Sequence, residues 1–305
     1  MADVDLEYLR ANPHLLLTFL AHQRLRTTPV SGGSICTAER ITLDDGSDLL
    51  LKTWPGGVSA APTQDTIPPP PGFFAAEARG LRWLREAAGH TRQHGARIPE
   101  LIAATDDLLL MEWIEHGQPT LAAAERLGHE LATTHRAGAS HFGAAEDGYL
   151  GFLPLDNTPG DSWADWYRAH RLAPLVRLSV DNGGLTAEEG TQIERIRIEV
   201  PDEPPARLHG DLWPGNVVWG LRDRAWLIDP AAHGGHRETD LATLHLFGGA
   251  PYLPRILEAY DETWPLEPGW KERVPLHQLY LLLAHTALFG SRYRSAVLRA
   301  AGHYL

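Results

Sequence analysis

Apolar residues recur at helical spacing in the opening segment, residues 6–22, where Leu6, Leu9, Leu16, Phe19 and Leu20 are interrupted by Asn12-Pro13; the pattern predicts one or two short helices. Two extended runs, 35–43 and 48–53, flank Asp44-Asp45-Gly46-Ser47, the turn chemistry of a hairpin. Residues 55–72 are rich in Pro, Gly and Ala and include the prolines 68–71, which fit neither a ladder nor a helix, so an exposed connector is expected there. Over 73–88, Phe74, Ala78, Leu81 and Leu84 share one face with arginines opposite, an amphipathic helix. The runs 101–104 and 108–111, joined at Asp106-Asp107, predict a second hairpin. Beyond Gly117 the period turns helical, over 121–135, 163–178 and 188–198. Within 208–229 the clusters Val217-Val218 and 226–228 bracket Gly220-Leu221-Arg222-Asp223, a small hairpin, and 240–305 is mostly helical. A strand-rich first third thus meets a helix-rich remainder near 116–119. The chain reads as α+β in two parts, 1–115 and 116–305, with no internal repeat.

Composition narrows the partners. In 305 residues the apolar share is 43% and the charged share 22%, as in ordinary globular proteins. A formal net charge of -12 argues against nucleic acid or an anionic membrane as the main partner, because both are repelled, and it tolerates a cationic small molecule. Met1 is followed by Asp3, Asp5 and Glu7, not by the basic start of a secretory signal. The most apolar stretch, 279–289, is broken by His285 and falls short of the ~20 residues of a spanning helix. The one cysteine, Cys36, forms no internal disulfide, so a reducing, cytoplasmic setting is expected. Lys52 and Lys271 are the only lysines in an arginine-rich chain, which marks position 52 as one that needs an ammonium.

The candidate chemistry lies in His209-Gly210-Asp211-Leu212-Trp213-Pro214-Gly215-Asn216, followed after a hairpin by Leu227-Ile228-Asp229-Pro230. Phosphoryl transfer needs a carboxylate beside the attacking hydroxyl and oxygen ligands that hold magnesium against the phosphates. An Asp and an Asn five residues apart on one loop, with a second Asp ending the next strand, supply both.

This string resembles the catalytic and metal-binding loops of the kinase-like phosphotransferases, which include aminoglycoside phosphotransferases, choline kinases and fructosamine kinases. The resemblance implies a two-lobe protein-kinase-like fold, an N-terminal antiparallel sheet with a helix and a mostly helical C-terminal lobe, using ATP and Mg2+. It makes Asp211 the catalytic base and Asn216 and Asp229 magnesium ligands. The nucleotide half then lies upstream. Lys52, ending the strand after the glycine turn, would reach the phosphates, and Glu77 on the amphipathic helix would orient it. Gly32, Gly33 and Ser34 sit where a glycine-rich hairpin covers phosphates. Glu112, Trp113 and Ile114, between the halves, are expected to offer backbone groups to adenine.

Further strings resemble fructosamine and ketosamine kinases specifically, from about residue 30 to 293. They are Gly32-Gly33-Ser34-Ile35, Ile228-Asp229-Pro230-Ala231 leading into Gly235-His236-Arg237-Glu238-Thr239-Asp240-Leu241-Ala242, Leu246-Phe247-Gly248-Gly249 and Leu276-His277-Gln278-Leu279-Tyr280. The implied activity is phosphorylation of the C3 hydroxyl of a ketoamine, such as a glycated lysine, which frees the amine and repairs the adduct. Trp213 and His285 are candidates for the acceptor pocket. An aminoglycoside phosphotransferase shares every ATP-side residue and is the nearest competing reading; a silent binding module would lack one of Lys52, Asp211, Asn216 or Asp229, and all are present. Arg237 and Asp240 are expected to anchor the catalytic loop through charge-assisted hydrogen bonds. His233, His236 and His245 lack the spacing of a zinc site. Cys36, in the phosphate-covering hairpin, is a redox candidate if exposed. Oligomeric state has no signature in the chain.

Overall fold

The computed structural model describes residues 24–30, 35–55, 68–87 and 94–305. The expected opening helices at 6–22, the glycine-rich residues Gly32, Gly33 and Ser34, and most of the Pro-rich connector lie outside the described residues.

Strands β1 (Arg24–Val30), β2 (Thr37–Leu43) and β3 (Asp48–Thr53) form an antiparallel meander, with Gly46 at φ +83° in the β2–β3 turn. Helix α1 (Phe73–Glu86) follows, then the expected second hairpin, β4 (Leu101–Ala104) and β5 (Leu108–Glu112). The sheet order is β1-β2-β3-β5-β4. Alternation along β3 turns Leu49 and Leu51 to one face, against Ile41, Leu43 and Leu110, and leaves Leu50 and Lys52 on the other, which lines a deep cleft.

After an extended crossover comes α2 (Leu121–Arg136), capped by the Thr120 side chain accepting from Ala123 N–H. An insertion then separates α2 from the next core strand. It holds a short hairpin, β6 (Gly148–Leu150) and β7 (Leu153–Leu155), then α3 (Trp163–Tyr167), a π-helical turn (Arg168–Leu172), α4 (Ala173–Asp181) and α5 (Ala187–Glu194). The sequence predicts one uninterrupted helix over 163–178; the π turn breaks it just before Pro174, whose missing N–H cannot serve the ladder. The chain returns through β8 (Ala206–Leu208), the expected hairpin β9 (Val217–Gly220) and β10 (Arg224–Leu227), and β11 (His233–Gly235), which pairs with β8. It ends in α6 (Glu238–Thr243), α7 (Leu253–Thr263), α8 (Trp270–Phe289) and α9 (Arg294–Ala301).

Helix α8 is the apolar stretch seen in the sequence. Leu276, Leu279, Leu281 and Leu283 are all fully enclosed in a second core with Tyr167, Leu172 and Val297, which explains an apolar surface all round the helix. No helix among the described residues is long and apolar enough to cross a membrane. The other large core is continuous from the sheet side to the helical side: Leu81 and Leu84 of α1 and Leu109 and Met111 of β5 pack in one cluster with Leu131 of α2 and Tyr260 of α7.

Candidate active site

One cleft of about 1000 Å3 opens between the sheet and the helical region. Its sheet side carries the pair expected from sequence. Lys52 Nζ donates to both Glu77 oxygens, at 2.7 and 2.8 Å, and to Asp229 Oδ1 at 2.9 Å. Burial alone would lower the Lys52 pKa, but the charges of Asp229 and Glu77 outweigh it and hold the ammonium above its usual range. Lys52 is therefore a fixed cation flanked by two acids.

The helical side carries the loop after β8. Gly210 adopts φ +79°, and a Cβ there would stand 2.1 Å from the Ala231 carbonyl oxygen, so only glycine fits. Asp240, at the start of the short α6, accepts the His209 N–H at 2.7 Å on Oδ2 and the Gly210 N–H at 2.9 Å on Oδ1. His135 Nε2 lies 3.2 Å from Asp240 Oδ2, and His135 Nδ1 lies 2.9 Å from the Tyr260 hydroxyl. The expected scaffold role thus holds in form for Asp240. Arg237 does not reach the loop: its guanidinium forks Glu203 at 2.6–3.1 Å and donates to the carbonyls of Trp264 and Pro265, because α6 points it to the opposite side.

On this scaffold Asp211 and Asn216 face each other. Asn216 Nδ2 donates to the Asp211 carbonyl at 2.7 Å and to Asp211 Oδ2 at 3.0 Å, while Asp211 Oδ1 is buried without a protein partner. Burial pushes the Asp211 carboxyl well above the usual range; the Asn216 hydrogen bond opposes this, and the charges of Asp229 and Asp240 add to it. An orphaned, unusually basic carboxylate oxygen in a cleft is suited to taking a proton. Asp229 itself sits at φ +56°, a strained turn that returns its carboxylate to the cleft beside Lys52. With Asn216 Nδ2 taken by Asp211, its Oδ1 and the Asp229 carboxylate form an all-oxygen set of the kind a hard divalent cation selects.

Glu112, Trp113 and Ile114 line the same cleft, together with Val30, Ala38, Leu50, Val218 and Ile228. Trp213 lines it too, with its ring laid on Gly215, where a Cβ would come within 2.0 Å. His285 also lines the cleft. Its Nδ1 donates to the Leu281 carbonyl at 2.8 Å, which leaves Nε2 as the lone-pair nitrogen, and burial pushes its pKa below the usual histidine value, keeping it neutral. Sequence reasoning missed the aromatic wall around it: Phe247 lies 5.6 Å from Trp213 and 4.9 Å from His285, with Tyr293 at 5.0 Å from His285. Phe247 is exposed and strained at φ +53°; the Leu246-Phe247-Gly248-Gly249 string was the available signal.

Cys36 is half-buried, and burial pushes its thiol up to about 11, so it stays protonated and weakly reactive near neutrality. His233 and His245 join no metal-like group among the described residues, but His236, Glu238 and His277 cluster at ligand spacing. Two arginine forks occupy that region: Arg273 holds both Glu238 oxygens at 2.6 and 2.8 Å, and Arg237 holds neighbouring Glu203. His236 Nδ1 accepts the Glu238 N–H at 3.3 Å, which puts the neutral ring's proton on the nitrogen that faces the cluster. Glu238 is thus held in a charge-assisted fork, while His236 Nε2 and His277 Nε2 are buried without a hydrogen-bond partner.

Comparison with known proteins adds the family. The chain matches the family profile described as fructosamine kinase over residues 20–305. A protein of Enterococcus faecium named a probable ketoamine kinase is 37% identical over 239 residues, 74% of this chain and 80% of that protein. The chloroplastic protein-ribulosamine 3-kinase of Arabidopsis thaliana is 32% identical over 302 residues, covering 93% and 84% respectively. A Thermobifida fusca crystal structure provisionally designated a fructosamine-3-kinase superposes with a TM-score of 0.82 at 43% identity, covering 93% of this chain and 94% of that one. The macrolide 2'-phosphotransferase MphH of Brachybacterium faecium, at 15% identity and a TM-score of 0.55 over 95% and 96% of the two chains, shares the kinase-like fold alone.

Proposed function

This chain belongs to the fructosamine kinase family, a phosphotransferase family acting on a hydroxyl group, and from that premise we propose that it transfers the terminal phosphoryl group of ATP to the C3 hydroxyl of a ketosamine. The acceptor is a small ketoamine or a glycated lysine, and the reaction initiates removal of the sugar from the amine. The observation that carries this reading is the convergence of Asp211, Asn216, Asp229 and the Lys52–Glu77 pair on one cleft.

Residues 1–115 bind the nucleotide, and 116–305 supply the catalytic loop and the acceptor site. Adenine lies between the apolar faces, against the backbone of Glu112, Trp113 and Ile114. Lys52, oriented by Glu77, neutralises the α and β phosphates. The oxygens of Asn216 and Asp229 suit Mg2+, which when bound screens phosphate charge. Asp211 Oδ1 takes the hydroxyl proton as the acceptor oxygen attacks the γ phosphorus and the bond to the bridging oxygen of ADP breaks. Trp213 and neutral His285 border the sugar; an uncharged imidazole there adds no repulsion to a cationic amine.

A phosphate-transfer assay across fructosyl-lysine, ribulosyl-lysine, kanamycin and choline tests the proposal. Ketoamine-dependent ADP release with silent antibiotic and choline lanes is the expected result. Turnover of kanamycin in place of the ketoamines would remove it.

A further inference from the structure

The β6–β7 hairpin touches three parts of the cleft at once. On the acceptor side, Leu150, Gly151, Leu155 and Asn157 line it together with Asp211 and His285. At the hairpin tip, Gly151 packs so closely that a Cβ would stand 2.5 Å from Ile35 Cδ1, just before β2, and 3.3 Å from Leu288 Cδ1 on α8. Toward α1, the Tyr149 hydroxyl donates to the Pro71 carbonyl at 2.9 Å and its ring lies 5.5 Å from Phe73, the first residue of that helix. Arg79, two residues beyond Glu77 on α1, donates to the Asp147 carbonyl at 2.9 Å and pairs with Glu146 at 3.3 Å.

The far side of the hairpin is held rigidly. Asn157 is buried, donates its own N–H to Asp147 Oδ1 at 2.9 Å and its Nδ2 to the Glu146 carbonyl at 3.2 Å, and receives Arg171 Nη2 on Oδ1 at 2.6 Å. Arg171 is enclosed on the π turn, stacked 4.3 Å from the Trp166 ring. The segment from 146 to 157 is therefore a braced arm, with the acceptor half of the cleft on one side and α1 on the other.

We propose that this arm couples the two substrate sites, with Tyr149 and Arg79 as positioning residues. An acceptor seated against Leu150, Gly151 and Asn157 fixes the arm, the arm fixes α1, and α1 sets the two hydrogen bonds from Lys52 to Glu77, which survive only small displacements. The acceptor thereby tightens nucleotide binding, and by linkage the nucleotide tightens acceptor binding by the same factor. The inference rests on the reading above that this half of the cleft receives the ketoamine.

The test measures ADP affinity with Mg2+, with and without saturating fructosyl-lysine, in the wild-type protein, Tyr149→Phe, Arg79→Lys and the Tyr149→Phe/Arg79→Met double variant, alongside wild-type turnover. In the wild type, the ketoamine is expected to strengthen ADP binding about fivefold or more, within the usual range of coupling between sites. The double variant is expected to lose that factor while binding ADP alone within about twofold of wild type, and Arg79→Lys to retain most of it. A purely structural role would weaken ADP binding equally with and without acceptor. Turnover of fructosyl-lysine with a wild-type factor of one, or a factor undiminished in the double variant, overturns the coupling and leaves the functional reading standing. Absence of ketoamine turnover overturns both. If the double variant fails to fold, Tyr149→Phe, which keeps the ring and removes one hydroxyl, decides by whether the factor falls.

Discussion

Lys52 Nζ lies 2.9 Å from Asp229 Oδ1, so the cation of the sheet meets the acid that follows the β9–β10 hairpin, 177 residues later in the chain. Glu77 closes the same triad from α1. Removing the central ammonium leaves two carboxylates facing each other, one of them buried.

Lys52→Met is accordingly expected to weaken ATP binding at least about tenfold and to destabilise the fold by about 3 kcal/mol, the scale for a buried charge that loses its partner. Calorimetric titration with ATP and thermal melts read the two effects; an unchanged melting temperature would argue against a buried triad.

Asp211→Asn is expected to keep nucleotide binding near wild type and to cut turnover about 100-fold or more, the usual loss for a general base. Single-turnover kinetics at saturating ATP separates this from a binding defect.

The same substitution has a pH signature. The folded Asp211 carboxyl titrates above its unfolded value, so between those two pKa values the folded state holds more protons and stability falls as pH rises. Asp211→Asn removes that penalty. The variant is expected to melt above the wild type at pH 8, with the gap closing as the pH drops toward the ordinary carboxylate pKa of about 4. An equal gap at both pH values would show that the carboxyl is not shifted. The acid limb of the turnover profile is expected to lie above the ordinary carboxylate range for the same reason.

Gly210→Ala places a methyl group 2.1 Å from the Ala231 carbonyl at a φ that side chains rarely adopt. The loop must shift, and with it Asp211, so turnover is expected to fall about 100-fold, as misplacement by an ångström does. Steady-state kinetics on the folded variant checks this.

His285→Phe keeps an aromatic ring in the wall and deletes Nε2. The Michaelis constant for the ketoamine is expected to rise about tenfold, the effect of one unmade hydrogen bond, with that for ATP unchanged. A rise confined to ATP would move His285 to the other substrate.

The sequence made visible what is local or rare. Asp211, Asn216 and Asp229 stand within one hairpin of each other, and Lys52 stood out because only one other lysine exists. The amphipathic period of 73–88 located α1, and Glu77 on it does meet Lys52. What stayed hidden depends on distance along the chain. Nothing near His135 announces that its ring would touch Asp240, 105 residues away, and the π turn holding Arg171 looks helical in any window. Arg237 was misjudged because adjacency to Asp240 in sequence says nothing about which way a short helix turns each side chain. The three-residue strands β6 and β7 are too short for period two to register.

The shared interior that joins α1 and β5 to α2 and α7 also limits how the chain can be divided. A fragment stopping at residue 115 would turn Leu81, Leu84 and Met111 toward water, and its complement would do the same to Leu131 and Tyr260. Separating the two pieces would therefore return apolar surface to water on both, at a cost of roughly 25 cal/mol for each Å2 uncovered.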